Sequence, residues 1–150
     1  MPKNYLALIL FFLPALIFSQ TAAELDSLLE TNVVTVGTAA RFTLGAAGFI
    51  PPELGAAEAA GLAYQRAYAN GWVKKAQGDE ITLKETAFLM MNVFELKGGI
   101  MYSIFRNQRY AYREMIYRKL IQGQADANML LSGQSFLNIL GRTLNYSGAE

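Results

Sequence analysis

An all-α fold built from helix-loop-helix pseudo-repeats follows from three features of this 150-residue chain. Apolar residues recur at helical spacing in three separate segments, a hydroxyl residue stands just before each run, and glycines follow them. The same order of elements then returns at a nearly constant interval, the mark of an internal repeat.

The chain opens Met1-Pro2-Lys3-Asn4 and continues through an apolar stretch, Leu6 to Phe18, interrupted only by Pro14. That layout predicts a secretory signal peptide. Thirteen residues of helix rise only about 20 Å, short of the roughly 30 Å hydrocarbon core, so no permanent transmembrane span is expected. Cleavage near Ser19-Gln20 and cleavage after Thr21-Ala22-Ala23 both fit, giving a signal peptide over 1–23 and one helical domain over 24–150. The expected location is outside the cytoplasmic membrane, in the periplasm or cell envelope. The chain has no cysteine and no histidine, which excludes thiol chemistry and the commonest general base and metal ligand.

Beyond the signal, Leu25, Leu28 and Leu29 support a first helix between Ala23 and Thr31. Three segments then read alike: Val34–Phe42, Ile81–Leu89 and Leu131–Ile139. Thr35, Thr82 and Ser132 suit the N-cap role, because a hydroxyl oxygen accepts from the free N–H groups of a first turn. Thr82 adds Glu85 three residues on, a capping box. After the caps, Ala39/Phe42/Thr43/Ala46, Ala87/Met90/Met91/Phe94 and Phe136/Ile139/Leu140/Thr143 each fall on one helical face. Gly48, Gly98-Gly99 and Gly148 are the expected stops. A second kind of helix precedes two of these, with Ala63–Val73 aligning without gaps on Ala111–Ile121 at an offset of 48 residues. The three caps are 47 and 50 residues apart, so both helix types share one period.

At these residues the chain resembles a degenerate S-layer-homology (SLH) module. The best copy supplies Ala63-Tyr64, Gly71-Trp72-Val73, Gly78-Asp79 and Ile81-Thr82-Leu83-Lys84-Glu85. The following copy keeps Ala111-Tyr112, Leu120-Ile121, Gly123 and Asp126. Lys97-Gly98-Gly99-Ile100-Met101-Tyr102, with Arg109 to Glu114, is similar to a variant of the module seen in spirochaetal envelope proteins. The resemblance implies a small helical bundle that attaches to wall-linked anionic polysaccharide through the arginine of an apolar-Thr-Arg-Ala-Glu motif. That arginine's positions are Val36, Leu83 and Gly133 here, so its ligand chemistry does not carry over; Lys84 is the nearest substitute.

Charge is uneven. From Glu24 to Leu96 there are nine acidic and five basic side chains, net −4; from Lys97 onward three and seven, net +4. Five of those basic side chains and three tyrosines fall between Arg106 and Lys119. With Ala111, Tyr112, Met115 and Ile116 placed in the core by the repeat alignment, Arg106, Arg109, Tyr110, Arg113 and Tyr117 form an outward basic aromatic strip. Such a strip suits a polyanion or sugar rings, since guanidinium forks pair with carboxylate or phosphate and aromatic faces stack; a plain solvated face is the competing reading. Nucleic acid is not the expected partner of an exported chain.

Trp72, the sole tryptophan, aligns with Leu120 and reads as core. Glu85 has a capping role, and Glu95 and Glu114 show no sign of the paired geometry a glycosidase needs. No metal-spaced cluster, phosphate loop or cofactor motif is present, so no catalytic or metal residues are assigned and an enzyme is not expected. The expectation is a binding or scaffolding module for a cell-wall glycan. The alternative is an adaptor that meets another envelope protein through the alanine- and glycine-rich surface around Ala56 to Gly61.

Overall fold

A computed structural model describes residues 22–123 and 125–148. The signal-peptide expectation falls outside the described residues, apart from Ala22 and Ala23, which open the first described helix. The described residues are all-helical, with seven helices and no strand. These are α1 (22–30), α2 (Val36–Ala46), α3 (Ala56–Ala69), α4 (Leu83–Val93), α5 (Ile100–Phe105), α6 (Gln108–Tyr117) and α7 (Gly133–Ser147).

The three hydroxyl caps sit where the spacing puts them. Thr35 Oγ1 accepts from the Thr38 amide at 3.3 Å and Ser132 Oγ from the Ser135 amide at 3.2 Å. At Thr82 the capping box is formed, with Glu85 accepting from the Thr82 amide at 2.8 Å. The other two copies carry a hydroxyl where Glu85 stands, and Thr35/Thr38 and Ser132/Ser135 join hydroxyl to hydroxyl at 3.0 Å in each case. The three first turns thus satisfy otherwise free amides by two side-chain solutions, a carboxylate box at Thr82 and a hydroxyl pair at Thr35 and Ser132.

The segments entering α2, α4 and α7 are tied to one another in a closed triangle. Val36 and Gly37 donate to Asp79 and Gln77, while Ile81 donates back to Val34. One repeat later, Leu83 and Lys84 donate to Met129 and Ala127 in the same register. The third side joins last to first, with Gly133 donating to Thr31 and Val34 to Leu131. Single antiparallel bridges, Thr35 with Glu80 and Thr82 with Leu130, mark two of the sides. Val34, Ile81 and Leu131, each one residue before a cap, are all buried at this junction. Paired backbone groups are what permit irregular chain to lie so deep.

Around this junction α2 packs on α3 and on α4, and α4 packs on α6. The buried stripes are those of the sequence pattern: Ala39 and Thr43, then Ala87, Met90 and Met91, then Phe136, Ile139, Leu140 and Thr143. Ala46 departs from it and is exposed, because α2 ends there. In α1 only Leu28 inserts into the core, while Leu25 and Leu29 are exposed.

The second repeated helix is also matched in detail. Tyr64 donates its hydroxyl to the Lys75 carbonyl at 3.1 Å, and Tyr112 donates to Ala125 at 2.7 Å. Both helices end alike: the amides of Trp72 and Val73 turn back to Ala67, and those of Leu120 and Ile121 to Met115. Gly71 and Lys119 hold the same left-handed position, at φ 70° and 60°. Trp72 is half-buried against the core and leans on Phe49 at 6.5 Å between ring centroids.

One stop differs from expectation. Gly48 takes the left-handed turn after α2 at φ 76°, but α4 ends at Val93, with Glu95 at φ 52° taking the role expected of Gly98-Gly99. Gly98 serves packing instead: a β-carbon there would stand 2.3 Å from the Tyr102 ring. The short helix α5, which the periodicity does not predict, follows at once.

Candidate functional site

The residues of the expected strip do not share one environment. Arg109, Arg113 and Tyr117 are exposed along one face of α6 at i, i+4 and i+8, with Tyr117 84% exposed. Tyr110 is half-buried, with one face of its ring stacked on Phe105 at 5.4 Å between centroids. Arg106 lies outside α6, capping α5 in a left-handed conformation at φ 30°. Ala111 and Met115 are fully buried and Tyr112 half-buried, as the alignment requires, but Ile116 is 40% exposed. Its placement in the core is corrected: α6 rests on α4 through a narrow stripe led by Ala111 and Met115, and Ile116 lies one step around the helix from it.

Arg118 and Glu114 are structural. Arg118 Nε meets Glu114 Oε1 at 2.7 Å, and its other nitrogens reach the Tyr146 hydroxyl and the Lys97 carbonyl. Glu114 also accepts from the Gly99 amide at 3.0 Å, which pins the start of α5 to α6. Glu85 is engaged as well, with Lys75 Nζ at 2.9 Å. Burial pushes the Glu85 carboxyl up, but bonds from the Thr82 amide, Lys75 and the Thr82 hydroxyl outweigh it and hold its pKa below the ordinary carboxylate value. Burial likewise raises the Tyr102 phenol, against the opposing pull of the Arg106 charge and a bond with Asn92.

Where the chain turns at Arg106 between α5 and α6, the fold opens a cleft of about 400 Å³. Lys74, Lys84, Arg106 and Arg109 line it together with Phe88, Asn107 and Gln108, and among the described residues no carboxylate lines it. Its parts come from three places in the sequence. Lys74 follows the end of α3; Lys84 and Phe88 sit one turn apart on α4; the remainder is the entry to α6. Asn107 caps α6 by accepting from the Tyr110 amide at 3.1 Å, so the positive end of the helix dipole faces the same space. Lys84 is steadied by Asn128 Oδ1 at 2.7 Å, a neutral partner that leaves its charge uncompensated. The sequence singled out Arg106, Arg109 and Lys84 but gave no sign of Lys74 or Phe88, which only the tertiary fold brings alongside them.

The positions at which the SLH resemblance would place an arginine are core. Val36 and Leu83 are each 1% exposed, and a β-carbon at Gly133 would sit 1.6 Å from the Leu28 carbonyl oxygen. No cation could be housed at any of them.

A larger groove of about 740 Å³ lies between α1, α2 and the Gln77-Gly78 turn. Its walls carry Thr31, Thr35, Thr38, Phe42 and Arg41, the last paired with Glu24 at 3.2 Å. Ala56 and Ala60, from the alanine-rich surface of α3, form one edge. Among the described residues, no cluster of three or more acidic side chains could hold a metal ion, and no helix is long and apolar enough to cross a membrane. No protein-family model, curated protein or solved structure matches the chain.

Proposed function

We propose that this protein is a non-catalytic binding module of the cell envelope that docks an anionic glycan in the cleft between α4 and the α5–α6 elbow. The observation that carries this reading is the lining: four cationic side chains, an aromatic ring and, among the described residues, no carboxylate around one concavity. Guanidinium and ammonium groups converging on a concave site favour carboxylate or phosphate substituents, and an adjacent ring offers a face for a sugar. The resemblance to wall-attachment modules supports the ligand class, although the charges stand at positions different from the family's. Arg113 and Tyr117 extend the same basic surface along α6 without lining the cleft.

The test is co-sedimentation of the protein with purified sacculi that retain their anionic polymer, and with sacculi stripped of it, across a salt series. The parent should sediment only with the polymer-bearing sacculi and be released as salt rises. Lys74→Glu/Lys84→Glu should abolish sedimentation with the helical circular dichroism unchanged. A folded parent that stays in the supernatant, or a double variant that sediments like the parent, would refute the dock.

The large groove edged by Ala56 and Ala60 favours a second reading, an adaptor that receives a segment of another envelope protein. Such binding should survive salt and be lost in Ala60→Glu rather than in the lysine variant.

A further inference from the structure

The short helix α5 presents its apolar side chains to solvent. Ile100, Met101, Ile104 and Phe105 are 79%, 48%, 65% and 53% exposed. They fall at i, i+1, i+4 and i+5, one continuous face, while Tyr102 on the opposite side is buried and fixes the helix to the body of the domain. The contacts of Gly99 with Glu114 and of Phe105 with Tyr110 lay α5 along α6. A contiguous patch of this kind marks a surface that is covered in use.

The charges around the patch identify what covers it. Between Lys97 and Lys119 there are six basic side chains and a single acidic one, and that one, Glu114, is already held by Arg118 and the Gly99 amide. A second copy of the same face would bring cations against cations. The core of a protein–protein contact is usually depleted of charge, whereas an apolar face rimmed by cations and aromatics is the composition of an interfacial helix on anionic lipid. We infer that α5 inserts its exposed face into the headgroup boundary of an anionic phospholipid surface, with Lys97, Arg106 and Arg113 against the phosphates. The contact is shallow, since six residues of helix cannot span a bilayer. It shares Arg106 with the basic cleft but not its apolar face, since the four apolar side chains of α5 do not line that cleft.

The absence of cysteine makes a local probe available. Met101→Cys and, separately, Gln65→Cys on α3 are labelled in the full chain with an environment-sensitive fluorophore. Each is mixed with vesicles of phosphatidylcholine alone or containing about one-third phosphatidylglycerol. The label at position 101 should shift to the blue with the anionic vesicles only, and high salt should reverse the shift. Position 65 should stay unchanged. Adding Ile104→Ser/Phe105→Ser to the position-101 protein should weaken partitioning at least about tenfold without loss of helicity. The inference is overturned by no shift at position 101, by equal shifts at both positions, or by an equal response to phosphatidylcholine alone. A shift without vesicles that grows with protein concentration would also overturn it, assigning the face to a second copy.

Discussion

The amide of Gly133 donates to the carbonyl of Thr31 at 2.9 Å, across a gap so narrow that a β-carbon on Gly133 would stand 1.6 Å from the Leu28 carbonyl oxygen. Backbone on both sides leaves nothing that can swing away. Gly133→Ala should therefore cost about 3 kcal/mol or more and detach the first turn of α7 from α1. Gly141, further along α7 with open space at its β-position, is the control: Gly141→Ala should stabilise by about 0.5–1 kcal/mol. Urea denaturation of the two variants beside the parent checks both signs.

Glu85 gives the fold a pH dependence. A carboxyl whose pKa is lower in the folded than in the unfolded state stabilises the fold above its unfolded pKa, and that contribution is lost as pH falls through the folded value. Glu85→Gln should thus cost about 1 kcal/mol near neutral pH, and its difference from the parent should shrink once pH drops below about 4. Denaturation midpoints of parent and variant measured from neutral to acid pH should converge; parallel curves would mean that the charge is not what the cap uses.

The paired tyrosines should behave as equivalents. Tyr64→Phe and Tyr112→Phe each delete one hydroxyl donor to a loop carbonyl and leave the ring in place. Each should lose about 1 kcal/mol, and because the two bonds lie in different repeats the double variant should lose their sum. Thermal unfolding of the single and double variants measures the additivity.

Lys119 holds at φ 60° the place that Gly71 fills in the preceding repeat. Side chains other than glycine, asparagine and aspartate are strained there, so Lys119→Gly should stabilise by about 0.5–1 kcal/mol after the greater freedom of glycine in the unfolded chain is counted. A calorimetric scan reads the rise in Tm.

What local chemistry decides was legible in the sequence. Thr35, Thr82 and Ser132 could be named as caps because a cap depends on a few consecutive residues, and the stripes behind them followed from helical period. Glu95 and Lys119 were opaque because nothing in a carboxylate or an ammonium announces a left-handed turn. The helix α5 is too short to show a period, and its apolar face is turned to solvent rather than to the core. Ile116 was misplaced because a wide stripe was assumed where α6 uses a narrow one. The strip's Arg106 and Arg109 were recognised, but the cleft they help form needs Lys74 and Phe88 from other elements, and no spacing rule links those. Gly133 read as decay of a motif, whereas in the structure it is the one residue type that fits.

The triangle of entry segments also sets a limit on how this architecture can change. In a linear stack each unit touches only its neighbours, so units can be gained or lost at an end at small cost. Here Gly133 and Val34 join the third copy back to the first, and every copy has two neighbours already. A fourth unit would have to open the circuit, and removal of one would strand the donors and acceptors of two others. Copy number is therefore locked at three, and novelty has to come from divergence between copies: a cation cleft beside one, a lipid-facing helix inserted before another, a polar groove at the first.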